Sequence, residues 1–200
     1  MNKNDIVFDI ETQRSFQEVG GFNNMEKLGI SVLGAFFYSD SSYRTFEESE
    51  LPEFEKIIRD LAHKKNGRVI GFNIAHFDLP VLQPYISWNL KELPSLDLMR
   101  DVESGAGFRI SLDNLSQNTL NAQKSGEGLQ AIQWYKEGKI DEIKKYCLKD
   151  VELTKNLYEH GVRTGEVYFF SKNAMNKLPL SVSWGKKINE QGTQNQLSIF

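Results

Sequence analysis

The sequence has one cysteine, no long apolar run and no excess of positive charge. Its single cysteine, Cys147, cannot form an internal disulfide, which is typical of a protein in a reducing cytoplasm. The longest strongly apolar run, residues 30–38, contains Ser31 and Gly34 and is far too short to span a bilayer. No basic segment followed by an apolar segment opens the chain, so the sequence shows no secretory signal. We therefore expect a soluble, cytoplasmic protein without a membrane partner.

The charge balance and the length narrow the class of protein further. The formal net charge of −3 excludes a protein that holds nucleic acid by overall positive charge, although it allows a local basic groove around an acidic centre. A chain of 200 residues is most simply one domain with enough length to bury a core. With 40% hydrophobic and 26% charged residues, the composition is that of a globular protein.

The spacing of apolar residues predicts an α/β fold with a mixed five-stranded sheet flanked by helices. Three strands come first and form an antiparallel meander, and the later strands alternate with helices and are expected to run parallel. The phosphate-binding motifs G-x-G-x-x-G and G-x-x-x-x-G-K-S do not occur. The predicted strands are 6–12, 29–38, 41–46, 68–72 and 95–99; the helices are 50–65, 78–89 with a break at Pro84, one beginning at 111–115, 129–136 and 140–160; a loop is expected at 105–107 and a terminal hairpin from 167–170 and 180–184.

Two acids on the first strand form the first candidate site. Because side chains alternate across a strand, Asp9 and Glu11 point to the same face. Their carboxylates repel each other unless a positive group lies between them, and Mg2+ and Mn2+ prefer carboxylate oxygen. A solvated edge strand with both acids in water fits the pair equally well.

Asp78 and Asn73 follow the fourth strand. An acid just past a buried strand, at the start of a helix, lies where catalytic groups gather in open α/β sheets. The same position is also a common helix N-cap, and Asn73 could close a turn.

Tyr146 and Asp150 lie one turn apart on one face of the last long helix. That face borders an apolar stripe that packs inward, so Asp150 needs a partner. A neighbouring lysine or arginine would satisfy it as well as a metal would, with Tyr146 then a core residue.

Taken together, the three motifs are far more specific than any one of them. They read Phe8-Asp9-Ile10-Glu11, Gly71-Phe72-Asn73 with Phe77-Asp78-Leu79-Pro80, and Tyr146-Cys147-Leu148-Lys149-Asp150. In this order they resemble the four-acid exonuclease superfamily of ribonuclease H-like fold, in its tyrosine-containing branch. They are similar in particular to the 3′–5′ proofreading exonuclease domain of family B DNA polymerases. The resemblance covers about residues 5–160 and leaves no room for a polymerase.

The resemblance implies a ribonuclease H-like fold with a catalytic domain at 1–165 and a C-terminal hairpin with a mobile polar tail at 166–200. It implies a 3′–5′ exonuclease that releases 5′-mononucleotides from single-stranded DNA or RNA ends, with two Mg2+ or Mn2+ ions as cofactors. A helicase or polymerase is a conceivable partner, and DNA repair a conceivable setting.

The resemblance also implies a role for each acid. Asp9 would contact both ions, Glu11 and Asp150 would complete the site of the ion that activates water, and Asp78 would hold the second ion. Tyr146 would orient the attacking water through its hydroxyl. Four acids in one pocket should raise the pKa of at least one of them without metal, so we expect a strong metal requirement.

Several further residues are weaker candidates. Thr12, Asn73, Phe77 and Lys124 are expected to contact substrate, the aromatic ring by stacking on a terminal base. The other residues weighed for substrate or site contacts, each equally credible as a core, surface or supporting residue, are Phe72, His76, Asp97, Phe108, Arg109 and Lys136.

The sequence is also compatible with two other functions. One is a catalytically silent exonuclease-like module that binds nucleic acid or protein within a larger machine, which a missing acid would have favoured. The other is an endonuclease or junction resolvase of the ribonuclease H type, which the spacing of Tyr146 and Asp150 argues against.

Overall fold

The structure, a computed structural model, describes residues 1–122 and 128–185 and has a mixed five-stranded sheet at its centre. The strands lie in the order β3-β2-β1-β4-β5. Antiparallel pairing joins β1 to β2 and β2 to β3, and parallel pairing joins β1 to β4 and β4 to β5. The predicted mixed sheet is therefore confirmed. The strands are β1 (Ile6–Thr12), β2 (Ile30–Phe37), β3 (Ser42–Phe46), β4 (Val69–Gly71) and β5 (Ser95–Asp97).

Helices flank the sheet, and a two-stranded hairpin follows the last of them. None of the helices among the described residues is both long and apolar enough to cross a membrane. The helices are α1 (Phe16–Val19), α2 (Leu51–Asp60), α3 (Asp78–Leu82), α4 (Leu98–Ala106), α5 (Leu112–Leu120), α6 (Gly128–Lys136) and α7 (Ile140–Thr164), and the hairpin strands are β6 (Glu166–Ser171) and β7 (Asn176–Ser181).

The alternation of side chains along β1 divides the core between the two faces of the sheet. Ile6, Phe8 and Ile10 join the cluster that includes the apolar side of α2. Val7 joins the opposite cluster, which contains residues of α5 and α7. Burying one such apolar side chain contributes roughly 1.5–3 kcal/mol, so a register slip of one residue in β1 would be costly. The alternation therefore fixes Asp9 on the face that α7 covers.

A glycine on β2 lets α7 approach this face closely. Gly34 pairs with Asp9 across the antiparallel ladder. A Cβ at Gly34 would lie only 2.8 Å from Sγ of Cys147 and 3.3 Å from Cγ2 of Val151. Because glycine has no side chain, one turn of α7 fits directly against the sheet beside Asp9.

In the middle of the chain the predicted break near Pro84 is confirmed, but one helix is shorter than expected and another was not predicted. The helix expected at 78–89 ends at Leu82 and continues as a 3-10 turn, Gln83–Tyr85, because Pro84 has no N–H to continue it. Residues 98–106 form α4, although the sequence predicted a strand ending at residue 99, a loop at 105–107 and no helix between them. Asp97 caps this helix by accepting hydrogen bonds from the amides of Met99 and Arg100.

The long helix α7 continues past the predicted end near residue 160. Gly161 lies inside it, and the helix ends at Gly165, whose φ is +74°. Trp184 packs on Gly161, where a Cβ would lie 2.3 Å from Cε3 of the indole. The second hairpin strand is therefore Asn176–Ser181 rather than 180–184, and Trp184 is a buried core residue. The part of the predicted tail beyond residue 185 lies outside the described residues.

Candidate active site

A cavity of about 470 Å³ lies at the end of β1, and all five predicted catalytic residues line it. Asp9 and Glu11 come from β1, Asp78 from the start of α3, and Tyr146 and Asp150 from α7. Residues far apart in the chain are thus brought to one point. The cavity is lined by Asp9, Ile10, Glu11, Thr12, Arg14, Ser15, Phe16, Gln17, Leu28, Phe72, Asn73, Phe77, Asp78, Leu129, Ile132, Tyr146 and Asp150.

Asp78 is held by the backbone of the neighbouring strand. The residue is 2% exposed, and its Oδ1 accepts a hydrogen bond from the amide of Ile10 at 3.0 Å. Burial and, to a smaller extent, the charge of Asp97 raise the pKa of Asp78 to about 7, although backbone hydrogen bonds oppose the shift. A carboxylate buried in this way is stabilised by a cation at the same point.

Tyr146 and Asp150 reach the cavity from α7, and both are buried. The ring of Tyr146 meets that of Trp134 on α6 edge to face, with centroids 6.1 Å apart. This contact fixes the phenol ring between two helices, while its place on the cavity wall leaves it available to a bound substrate.

The donor atoms around Asp9 fit a hard divalent cation. One donor atom each from Asp9, Glu11 and Cys147 lies within 4.8 Å of the others. The Cys147 thiol lies 3.4 Å from the carbonyl oxygen of Asp9 and 3.8 Å from its Oδ2. Burial, followed by the charges of Asp9, Glu11 and Asp150, raises the pKa of this thiol well above its usual range. A protonated thiol is a poor ligand, so the carboxylates are the groups that would hold a cation, and carboxylate oxygen suits a hard divalent ion such as Mg2+ or Mn2+.

Asp97 holds the loop that carries Asn73. Its Oδ1 accepts a hydrogen bond from the Asn73 amide at 2.8 Å, and its Oδ2 accepts one from the Ala75 amide at 2.9 Å. These bonds hold Asn73 at φ +70°, a left-handed conformation that asparagine tolerates better than most residues. Asp97 therefore positions the loop and is absent from the cavity wall.

Asn73 presents an unused acceptor at the cavity. Its side-chain Oδ1 is buried and makes no hydrogen bond within the described parts of the chain. A buried acceptor without a partner is destabilising unless a ligand or water supplies a donor. Because Asn73 also lines the cavity, it is a candidate for contact with a bound molecule.

The remaining predicted contacts divide into those on the cavity wall and those away from it. Thr12, Phe72 and Phe77 line the cavity. His76 is exposed, as expected for a surface residue. Lys124 lies outside the described residues.

The basic candidates that the structure describes have other partners. Lys136 pairs with Glu18 at 2.6 Å, and Arg109 pairs with Glu103 at 3.4 Å. Phe108 packs edge to face on Phe169 of the hairpin. None of these three candidates lines the cavity, so the expectation that they meet substrate phosphates has no support from their positions.

The connection after β1 contributes cavity residues that the sequence analysis missed. Arg14, Ser15, Phe16 and Gln17 line one wall, and Leu129 and Ile132 of α6 line another part of the cavity. The pattern Ser15-x-x-Glu18 is a capping-box signature and does form one here, so it could have revealed α1. Nothing local in the sequence indicates that α6 turns towards β1.

A family model for the RNase H superfamily matches residues 6–162. The chain therefore belongs to the RNase H superfamily, and the ribonuclease H-like fold expected from the motifs is confirmed.

Solved structures support the same fold. The crystal structure of Trypanosoma brucei RNase D matches with a TM-score of 0.55 at 17% sequence identity. The match covers 79% of this chain and 57% of that one, so the chain spans little more than half the length of this neighbour. No match was found among curated proteins.

Proposed function

We propose that the protein is a metal-dependent 3′–5′ exonuclease that hydrolyses single-stranded nucleic acid ends to 5′-mononucleotides. The observation that carries the proposal is the convergence of Asp9, Glu11, Asp78 and Asp150 with Tyr146 in one cavity. Membership of the RNase H superfamily and the likeness to an RNase D support it. No carboxylate of the motif set is missing, so nothing favours a catalytically silent module.

The four carboxylates are the groups that would hold two divalent cations. Such ions, when bound, supply an activated water and stabilise charge on the leaving oxygen of a phosphodiester. The buried position of Asp78 and its hydrogen bond from Ile10 fix one carboxylate relative to β1, which carries two of the others. The spacing of the acids is therefore set by the sheet rather than by flexible loops.

The neutral residues of the cavity would position the substrate. The Tyr146 hydroxyl, held by the Trp134 contact, would donate a hydrogen bond that orients the attacking water. The free Oδ1 of Asn73 would accept a hydrogen bond from the terminal nucleotide. The ring of Phe77 would stack on its base. Stacking and phosphate contacts do not distinguish deoxyribose from ribose, so DNA and RNA ends are both proposed substrates. The proposed location is the cytoplasm.

The proposal is tested with 5′-labelled single-stranded DNA and RNA oligonucleotides, incubated with Mn2+ or EDTA. We expect a ladder that shortens from the 3′ end with Mn2+ and is absent in EDTA. Asp9→Ala should lower the rate on the order of 10³-fold or more, because Asp9 is one of the carboxylates that would hold the cations. Asp40→Ala is the matched control, since Asp40 is an exposed aspartate in the β2–β3 turn.

The proposal is wrong if the wild-type protein with Mg2+ or Mn2+ leaves every single-stranded end intact. If such a protein still binds the oligonucleotides, the fold serves as a binding module. Internal cuts in a circular single strand would instead indicate an endonuclease.

A further inference from the structure

Three aromatic rings lead from the catalytic cavity to the protein surface. Phe77 and Phe16 line the cavity and meet at a steep angle of 64°, with centroids 5.9 Å apart. Phe16 in turn lies against Phe22, with centroids 4.1 Å apart and the planes 33° from parallel. Phe22 is 69% exposed, so the last ring of the row presents most of its surface to solvent.

The local sequence builds this arrangement. Ser15 caps the single turn of α1 and places Phe16 at its start. Gly20 and Gly21 follow at φ +85° and +107°, values that other residues rarely adopt. The amide of Gly21 then bonds the Phe16 carbonyl at 2.7 Å. The chain folds back on itself, and Phe22 is set on the ring of Phe16.

Exposure alone is weak evidence, because single apolar side chains are common on protein surfaces. The position of Phe22 is more informative, since its ring extends a wall of the catalytic cavity outwards through a direct ring contact. An exposed aromatic ring that is held in place by a second ring offers a fixed flat surface on which a base can stack.

The charges around these rings suit a phosphate backbone. Arg14 lines the cavity and donates a hydrogen bond to the carbonyl of Lys27 at 2.5 Å. Arg14 forms no ion pair with a carboxylate among residues 1–122 and 128–185. The Lys27 ammonium instead donates a hydrogen bond to Oδ1 of Asn24 at 2.7 Å, and the acid Glu18 is paired with Lys136. Arg14, which shares the cavity wall with Phe16, is therefore the cation placed to meet a phosphate of a single strand.

We propose that Phe22, stacked on Phe16, is a platform for a base of the single strand upstream of its 3′-terminal nucleotide. This proposal rests on the proposed function, because it is the 3′ end in the cavity that brings an upstream base to this ring. Phe77 would contact the terminal base, and Phe22 would hold the strand as it leaves the cavity. Stacking is tolerant of sequence and sugar, so the platform serves DNA and RNA alike.

The test is binding in EDTA, where the metal-dependent cleavage is held off. Single-stranded oligonucleotides carry 2-aminopurine at one position at a time, counted from the 3′ end. We expect quenching of its fluorescence at one upstream position with the wild-type protein. Phe22→Ala should abolish that quenching and raise the Kd, measured by anisotropy, by about 5- to 100-fold, the usual range for losing one stacked base.

Matched variants separate stacking from simple apolar contact. Phe22→Trp should retain the quenching, whereas Phe22→Leu should lose it. Phe170→Ala is the control, because Phe170 is 40% exposed on the hairpin and does not line the cavity. Circular dichroism and the unfolding midpoint establish that each variant is folded.

The outcomes distinguish the platform from the enzyme. Unchanged quenching and Kd in Phe22→Ala would overturn the platform, whether or not the wild-type protein cleaves. Loss of quenching and affinity in Phe22→Ala, in a protein that degrades nothing with Mn2+, would uphold the platform and overturn the exonuclease.

Discussion

Replacing Asp78 by asparagine should stabilise the metal-free protein at alkaline pH. In the wild type, burial raises the pKa of this carboxyl from 3.8 to about 7. Between those values the folded protein holds a proton that the unfolded chain has released, so the free energy of unfolding falls as the pH rises. The contribution of Asp78 is therefore intact below pH 4 and is lost above pH 7.

The magnitude follows from the same interval. About three pH units at 1.36 kcal/mol each give up to about 4 kcal/mol, an upper limit because the protein can relax around the charge. Asparagine is neutral at every pH, and its Oδ1 can still accept the 3.0 Å hydrogen bond from Ile10. With an m-value of about 2 kcal/mol per molar urea, Asp78→Asn should raise the unfolding midpoint at pH 8 by up to about 2 M.

The assay is urea unfolding in EDTA at a series of pH values from 4.5 to 8.5. We expect the two curves to converge at the acid end and separate towards pH 8, with Asp78→Asn the more stable protein. Saturating Mn2+ should stabilise the wild type and narrow the gap, since a cation offsets the buried charge.

The control variant is Asp40→Asn, which removes a negatively charged carboxylate whose pKa is shifted in the opposite direction. It tests whether removing any negative charge stabilises the protein. Asp40 is exposed, and hydrogen bonds from Ser42, followed by the contact with Arg44, lower the pKa of its carboxyl. Asp40→Asn should therefore not stabilise the protein at pH 8. A difference between Asp78→Asn and wild type that stays constant with pH, or a less stable Asp78→Asn at pH 8, would refute the reasoning.

Two further predictions concern α7. Tyr146→Phe should lower kcat by about 10- to 100-fold, because only the hydroxyl is lost while the ring and its Trp134 contact remain. The variant should still bind Mn2+ in calorimetry. An unchanged kcat would show that the hydroxyl has no part in the mechanism. Gly34→Ala should cost about 1–3 kcal/mol in urea unfolding, because the new Cβ would lie 2.8 Å from Sγ of Cys147. Adding Cys147→Ala should recover part of that loss, and strictly additive effects would contradict the steric explanation.

Local patterns were enough to predict the sheet and its acids. The first strand is recognisable from the short apolar run that begins at Ile6, and the alternation of side chains along a strand then places Asp9 and Glu11 on one face. Tyr146 and Asp150 follow from helical spacing in the same way. Bringing these elements together required the combined motifs, because no single pattern contains a long-range contact.

The errors arose where tertiary packing overrides a local signal. Gly161 is a helix-breaking residue in isolation, but it continues α7 because the indole of Trp184 needs the space that a side chain would fill. The start of α4 was marked by Asp97 as an N-cap before Leu98 and Val102, a signal that the nearby glycines obscured. The second role of Asp97, holding the Asn73 loop, joins two strand ends and has no sequence signature.

The contacts that bury the acids of the site also fix their positions relative to one another. Asp78 is buried and bonded to the strand that carries Asp9, so its carboxyl cannot turn into water. The close approach of α7 at Gly34 likewise holds Asp150 near them. A looser site would expose the carboxyl to water and lower the pKa of Asp78, but it would also give up the fixed spacing that the proposed two-cation mechanism needs. We therefore expect the stability of the metal-free protein and the proposed activity to change together when either contact is altered.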